Sequence, residues 1–297
     1  MSVQRLFGCG TALVTPFTVA GEVDEPSLRA LVDWQIAEGI HYLVPCGSTG
    51  EAATLSPAEH RRVVEVVVDQ ARGRVPVVAG AGSNDTRKAV ALSREMRDAG
   101  ATHLLHVSPM YNKPPQRGIV AHFRAVADAT DLPVIMYNVP GRTASNIEAA
   151  TTLTLAEVPN ILGIKEASGN LDQITRIIRE RPPHFAVVSG DDAITVEVMA
   201  AGGDGVISVV SNATPRLMAR LVEHCRDRRD SEAQRLQEQL LPWMRAAFVE
   251  SNPIPVKAAL AMLGRVQDAL RLPLVPLAQA HHAGLREALT AAGALSA

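Results

Sequence analysis

The chain has 297 residues, of which 47% are hydrophobic, and its formal net charge at pH 7 is −2. This length favours one large domain, with or without a short appendix, over several small ones. The nearly balanced charge gives no overall attraction to nucleic acid or an anionic membrane, and no apolar run is long enough to cross a bilayer. Residues 1–10 lack the basic start and apolar stretch of a signal peptide, so we expect a cytoplasmic protein without nucleic-acid or membrane partners.

Eight short apolar runs rich in β-branched residues follow one another, each followed by a stretch with helical signals. They begin near Gly8, Tyr42, Val75, Thr102, Leu132, Ile161, Phe185 and Gly205. Almost continuously apolar strands are typical of a parallel sheet that is covered on both faces. The alternation predicts an α/β fold, a (β/α)8 TIM barrel that forms the catalytic domain over residues 1–229.

Several helix starts are marked in the sequence. The segment SPAE at 56–59 has the pattern of a capping box with Pro at the first helical position, and predicts a helix to about Ala71. Further N-caps are predicted at Asp24, Asn84, Asn146 and Asn170. Strand signals end after about Ser231, and residues 231–249, 255–263 and 274–292 predict a C-terminal helical appendix of about three helices over 230–297.

Polar residues follow five of the predicted strands, at the end where the active site of a TIM barrel lies. They are GSTGE at 47–51, YNKP at 111–114, YNVPGRT at 137–143, KEASG at 165–169 and GDD at 190–192.

Lys165 is one of only four lysines beside 25 arginines, and it ends an apolar strand. If Leu162 and Ile164 face the helices, Gly163 and Lys165 face the barrel interior. Burial would lower the pKa of Lys165 from its ordinary ~10.4, and a neutral amine can attack a ketone and form an imine. The alternative is a lysine that is ion-paired at a strand end, for example with Glu166.

The other strand ends offer groups that suit a carboxylate substrate. A Tyr137 phenol beside an imine-forming lysine can shuttle protons, although it can also be a core tyrosine. The turn at 47–50 suits an anion and lacks the GxxxxGK pattern of a nucleotide loop. Arg142 can bind a carboxylate through two parallel hydrogen bonds, or be one more surface arginine. For Asp191 and Asp192 a structural or polar-lining role is favoured over a metal site.

No cofactor motif is present. The three cysteines are far apart and form no CxxC pair. The nine histidines show no HxH or HExxH spacing, and no GxGxxG fingerprint follows a strand. We therefore expect neither a metal nor a nucleotide cofactor.

Together these motifs resemble the dihydrodipicolinate synthase/N-acetylneuraminate lyase family of pyruvate-dependent lyases. The resemblance runs from GTALVTPF at 10–17 to ESNPIPVK at 250–257, and the pair YNVPGRT and GIKEASG is highly specific. It implies a covalent Schiff base between Lys165 and pyruvate and a homotetramer built as a dimer of dimers.

The resemblance also implies a role for each site residue. Thr49, Tyr137 and Tyr111 would form a proton relay, with Tyr111 reaching into the neighbouring subunit's site. Ser48 and Thr49 would hold the pyruvate carboxylate, and Arg142 the carboxylate of the second substrate. Gly190 and Ile207 would line the pocket.

Within the family, Arg142, the YNKP loop and the ESNPIPVK segment favour the branch that condenses pyruvate with L-aspartate 4-semialdehyde to 4-hydroxy-tetrahydrodipicolinate, a step of lysine and diaminopimelate biosynthesis. The nearest alternative is another class I pyruvate aldolase, which acts on a sugar acid or an aromatic pyruvate adduct. A pyridoxal phosphate barrel should show a phosphate loop after strand seven or eight, whereas the glycine-rich segment 202–205 precedes strand eight. A non-enzymatic protein should not keep Lys165, Tyr137 and Thr49 together.

Feedback by lysine is expected to be weak or absent. The positions that match the allosteric pocket of lysine-regulated relatives are Ala52, Ala53, Pro57, His60, Asn84, Lys88 and Met110. Lys88 replaces an expected glutamate, so its ammonium group and the ammonium group of a bound lysine would share one cleft and repel each other.

Overall fold

The computed structural model describes residues 6–296, which form eight strands that alternate with helices. The strands are β1 Gly8–Ala12, β2 Tyr42–Val44, β3 Val78–Gly80, β4 His103–Val107, β5 Val134–Asn138, β6 Ile161–Glu166, β7 Ala186–Ser189 and β8 Gly205–Ser208. The α-helices are α1 Glu25–Ala37, α2 Pro57–Ala71, α3 Thr86–Asp98, α4 Gln116–Ala127, α5 Pro140–Thr143, α6 Ala149–Ala156, α7 Leu171–Glu180, α8 Thr195–Ala200, α9 Pro215–Arg226, α10 Asp230–Ala246, α11 Ile254–Met262 and α12 Gln279–Ala291. Short 3-10 helices lie at Ala52–Thr54, Asp192–Ile194 and Val210–Asn212. Across residues 6–296 the helices are too short or too polar to span a membrane.

The eight strands form one parallel sheet in the order β2-β1-β8-β7-β6-β5-β4-β3. The two outer strands of this order also meet, because Leu43 pairs in parallel with Val77 and the Gly80 amide donates to the Pro45 carbonyl at 3.0 Å. The sheet is therefore closed, and the predicted TIM barrel is confirmed.

Apolar side chains fill the barrel and the layer around it. The interior cluster includes Val44, Leu105, Ile135, Val188 and Ile207. The opposite faces of the strands pack against the helices in two further clusters. This packing leaves the carboxyl ends of the strands as the place where polar side chains can meet.

The C-terminal helices α10, α11 and α12 pack against the same cluster as the first helices of the barrel. Trp243 of α10 is completely buried, and its indole N–H donates to the Val210 carbonyl at 3.3 Å. The three predicted C-terminal helices are present within one to five residues of the expected bounds. The division into units 1–229 and 230–297 stays a prediction.

The helix starts were predicted in part. Ser56 and Glu59 form the capping box at the start of α2, and Asp24 and Asn170 cap α1 and α7. The predictions for Asn84 and Asn146 were wrong, because α3 is capped by the next residue and α6 begins three residues later. The Asn84 side chain instead donates to the Met110 carbonyl, and the Asn146 side chain accepts from Asn138 at the end of β5.

Candidate active site

A cavity of about 190 Å³ opens at the carboxyl ends of the strands. Its wall contains the predicted site residues Ser48, Thr49, Tyr137, Arg142, Lys165 and Gly190. The other lining residues are Ala12, Val44, Gly47, Leu105, Val139, Ala167, Asp191, Val209, Phe248 and Asn252.

Lys165 is buried at the end of β6, and its side chain lies in the cavity wall. Burial lowers its pKa to about 8, while the nearby Asp192 acts in the opposite direction and Arg142 lowers it further. Throughout residues 6–296, the Nζ atom has no hydrogen bond or ion pair to another protein group. The amine is therefore available to a ligand.

The expected alternation along β6 is correct for Lys165 and wrong for Leu162. Ile164 faces the helices, as expected, but Leu162 belongs to the interior cluster. The pairing of β5 with β6 shifts at this point, since Val134 pairs with Ile161 and the next residue pairs with Gly163. This β-bulge turns an additional residue inward before regular alternation resumes.

Glu166 is not the ion-pair partner of Lys165, so the alternative considered for this lysine is wrong. The Glu166 carboxylate is buried on the opposite face of the strand, where it accepts from Asn138 Nδ2 at 3.1 Å, the Ser168 amide at 2.8 Å and Gln173 Nε2 at 3.0 Å. Neutral donors thus satisfy this carboxylate.

Tyr137 pairs with Lys165 across β5 and β6. The Lys165 Nζ atom lies 4.3 Å from the centre of the Tyr137 ring. Burial raises the pKa of Tyr137 to about 12, with Arg142 acting in the opposite direction. The phenol therefore keeps its proton near neutral pH and can donate it.

Gly190 leaves the room that Lys165 occupies. A Cβ atom at this position would lie 3.0 Å from Lys165 Cε, 3.1 Å from Lys165 Cγ and 2.6 Å from Ala167 Cβ. Position 190 must therefore be glycine for the Lys165 side chain to follow its path through the site.

The turn after β2 brings Ser48 and Thr49, with their amides and hydroxyls, to the cavity wall. The Gly50 and Glu51 amides donate within the turn to the Gly47 and Ser48 carbonyls. The Ser48 and Thr49 amides donate to no other group in the described part of the chain. They remain available to a ligand anion.

The two hydroxyls of this turn differ in their surroundings. Ser48 is exposed to the cavity mouth, whereas Thr49 is buried and its Oγ1 accepts from Asn252 Nδ2 at 2.9 Å. Each hydroxyl still has a proton to donate.

Asn252 is a lining residue to which the sequence analysis assigned no role. It follows α10, beyond the barrel, and its Nδ2 reaches Thr49 while its carbonyl accepts from Arg142 Nη2 at 3.5 Å. Its Oδ1 is buried without a partner among the described residues. In the sequence, Asn252 was marked only as part of the ESNPIPVK segment. Nothing in the spacing of that segment indicates that Asn252 contacts the turn after the second strand.

Arg142 lies on α5, directly after β5, and lines the cavity. It forms no ion pair with any carboxylate within residues 6–296, so its charge is free to attract a substrate anion.

The structure does not bring Tyr111 and Ile207 to the cavity wall. Tyr111 is 89% exposed, its backbone has a φ of 72°, and its amide donates to the Thr143 carbonyl at 3.2 Å. Ile207 is completely buried in the interior cluster beneath the cavity.

The Asp191–Asp192 pair is held by backbone amides. Asp192 Oδ2 accepts from the Val209 and Val210 amides at 2.9 and 3.1 Å, and Asp191 Oδ1 accepts from Ala193 at 3.0 Å. Burial raises the pKa of Asp192 to about 6. Asp192 therefore joins β7 to β8, and Asp191 contributes to the polar lining, as expected.

Comparison with known proteins gives consistent similarity over nearly the whole chain. The 4-hydroxy-tetrahydrodipicolinate synthase of Koribacter versatilis is 49% identical over 293 residues, 98% of this chain and 98% of the relative. That of Maridesulfovibrio salexigens is 48% identical over 287 residues, 96% of this chain and 98% of the relative.

Solved structures give the same result. The chloride-inhibited dihydrodipicolinate synthase of Acinetobacter baumannii complexed with pyruvate matches with a TM-score of 0.96 and 42% identity, covering 97% of this chain and 99% of that one. A monomeric dihydrodipicolinate synthase variant matches with a TM-score of 0.96 and 40% identity, covering 98% of both chains. The profile of the Dihydrodipicolinate synthetase family matches residues 5–292, and the chain therefore belongs to this family.

Proposed function

We propose that this chain is a 4-hydroxy-tetrahydrodipicolinate synthase, which condenses pyruvate with L-aspartate 4-semialdehyde through a Schiff base on Lys165. The observation that carries the proposal is a buried lysine that has no carboxylate partner among residues 6–296. It lies in a cavity whose wall, within the same residues, also holds two amides without a protein partner and an arginine without an ion pair. Two carboxylate-binding groups fit two substrates that each carry a carboxylate. The enzyme would act in the cytoplasm, in the biosynthesis of lysine and diaminopimelate.

The first step needs a neutral amine. With a pKa of about 8, about a quarter of Lys165 is neutral at pH 7.5, against roughly one part in a thousand at the ordinary lysine pKa. Its lone pair attacks C2 of pyruvate, and the resulting carbinolamine loses its hydroxyl as water. Tyr137 donates the proton for this loss, because its high pKa keeps it in the phenol form.

The second substrate then enters at Arg142. Loss of a proton from C3 of the bound pyruvate gives an enamine, whose C3 attacks the aldehyde carbon and leaves a hydroxyl there. The amine of the former semialdehyde attacks C2, closes the ring and displaces the Lys165 nitrogen. The enzyme is regenerated without any cofactor, since the protonated imine formed on Lys165 serves as the electron sink.

A proton relay links the phenol to solvent. We assign Thr49 and Tyr137 to it, together with Tyr111 from the neighbouring subunit of a homotetramer built as a dimer of dimers. In support of this, Tyr111 projects from the surface and its loop is bonded to the end of α5. The Ser48 hydroxyl is exposed on the turn that also carries Thr49. A comparison of Ser48→Ala with Thr49→Val should therefore separate the proton relay from binding of the pyruvate carboxylate.

A coupled assay tests the proposal. Pyruvate and aspartate semialdehyde, with the reductase that consumes the product, should give turnover that Lys165→Ala abolishes. Lys88→Ala, which changes an exposed lysine on α3, is the matched control and should keep full activity. Condensation with a sugar aldehyde and none with the semialdehyde would favour another pyruvate aldolase.

A further inference from the structure

The turn that presents the Ser48 and Thr49 amides has an unfavourable backbone at both ends. Cys46 has a φ of 56° and Glu51 a φ of 52°, in the left-handed region that residues with a Cβ atom seldom adopt. Such a conformation persists only where its surroundings hold it. Several contacts from outside the turn do so.

The strongest of these contacts is an ion pair with the C-terminal helical region. Lys257 of α11 donates from Nζ to Glu51 Oε1, and both side chains are completely buried. Lys257 also donates to the Ala269 carbonyl at 2.8 Å, and the Arg271 amide donates to Glu51 Oε2 at 3.2 Å. Both carboxylate oxygens of Glu51 are thus bound by residues from beyond the barrel.

The ammonium group of Lys257 is further fixed from another side. Nζ lies 4.1 Å from the centre of the Phe17 ring, and the Arg271 guanidinium carbon lies 4.4 Å from the same centre. Burial lowers the pKa of Lys257, and Glu51 acts in the opposite direction. The lysine is therefore held in one position, at the base of the turn.

The neighbouring residues of the turn are also held. The Thr15 hydroxyl donates to the Gly50 carbonyl at 2.7 Å, and Asn252 Nδ2 donates to Thr49 Oγ1 at 2.9 Å. Residues 49, 50 and 51 each have an external partner, and the ion pair is the only one of these contacts between two charged side chains. None of them involves β6, which carries Lys165.

We propose that Lys257 is a positioning residue for pyruvate binding, which acts through Glu51 to hold the Ser48 and Thr49 amides where the pyruvate carboxylate is bound. This inference rests on the proposed function. Because the ion pair holds the turn and leaves β6 untouched, its loss should raise the pyruvate concentration needed for half-maximal reaction and leave Lys165 reactive at saturation.

The test has to separate positioning from stability. A single Lys257→Met change leaves the Glu51 charge buried without a counter-ion, which is strongly destabilising. The double variant Glu51→Gln/Lys257→Met removes both charges and can be close to neutral in stability. Glu51→Asp keeps both charges but withdraws the carboxylate from Lys257 by roughly 1.5 Å, the length of one carbon–carbon bond. It serves as the second variant if the double variant does not fold.

A matched control lies at the opposite end of the barrel. Arg181 and Asp204 form another buried ion pair, at residues that precede β7 and β8. The double variant Arg181→Met/Asp204→Asn removes this pair far from the cavity. Loss of this buried pair can change the thermal stability, but the dependence on pyruvate should equal that of the unaltered protein.

The measurement is the trapping of pyruvate on Lys165 by borohydride, followed by mass spectrometry over a pyruvate titration. We expect the half-saturating pyruvate concentration to rise at least tenfold in the double variant and at least about threefold in Glu51→Asp, with full labelling at saturation. A folded double variant, or a folded Glu51→Asp, with an unchanged pyruvate titration would overturn the inference. Absence of labelling in the unaltered protein would instead contradict the proposed function.

Discussion

Gly190→Ala tests whether the course of Lys165 through the site matters for catalysis. The added Cβ would lie 3.0 Å from Lys165 Cε, and an ordinary contact is 3.4–4 Å. The lysine must therefore retreat by about 0.4 to 1 Å, and Ala167 Cβ, 2.6 Å from the added atom, must also shift, unless the segment after β7 moves instead. A misplacement of about 1 Å can cost roughly a hundredfold in rate, so we expect kcat to fall by roughly tenfold to a hundredfold.

The coupled assay with pyruvate and the semialdehyde measures this loss, at a temperature where both proteins remain folded. Overpacking should also lower the free energy of unfolding by about 1–3 kcal/mol, which circular dichroism can follow. Gly141→Ala is the matched control, because a Cβ at this glycine of α5 meets nothing within 4 Å. If Gly190→Ala forms the Schiff base at the original rate, the reasoning about the lysine's position is refuted.

Three further outcomes are expected. Arg142→Ala should lower kcat/KM for the semialdehyde at least tenfold, because one charge-assisted contact contributes ~1.5–3 kcal/mol, while pyruvate trapping on Lys165 persists. The control is Arg124→Ala, which removes an exposed arginine on α4. An unchanged substrate profile of Arg142→Ala would favour a sugar-acid aldolase. The variants Tyr111→Phe and Lys165→Ala, each inactive alone, should regain partial activity when their subunits are mixed and reassembled. If activity does not return although the subunits demonstrably exchange, Tyr111 acts in the site of its own chain. Free lysine at millimolar concentration should leave the coupled assay nearly unchanged, since the exposed Lys88 adds a cation to the pocket, and clear partial inhibition with lysine bound there would contradict this.

The sequence was sufficient where function depends on the local pattern. Eight apolar runs predicted eight parallel strands, and polar residues at their ends predicted the position of the cavity. The inward direction of Lys165 followed from alternation along β6, because the preceding residue, Ile164, faces the helices. Leu162 could not be assigned correctly, because the β-bulge depends on how β5 pairs with β6.

Contacts over long sequence separations could not be predicted. Asn252 binds Thr49 across 203 residues, and Lys257 binds Glu51 across 206 residues. Neither pair has a periodicity or a spacing that marks it, because the approach of α11 to the second strand results from packing of the C-terminal helices. The satisfied carboxylate of Glu166 was hidden for the same reason, since its amide partners come from two other elements.

The Schiff base on Lys165 can be tested by identifying the residue that pyruvate modifies and by following how the modification depends on pH. Borohydride in the presence of pyruvate should add one pyruvate-derived mass to Lys165, and Lys165→Arg should abolish both label and activity, because guanidinium stays protonated. At subsaturating pyruvate the labelling rate should rise with pH through a midpoint near the lysine's pKa of about 8, as the neutral amine becomes the main form. A label on Lys113 or Lys257 instead, or a midpoint at the ordinary lysine pKa, would contradict Schiff-base formation by a Lys165 amine whose pKa is lowered by burial.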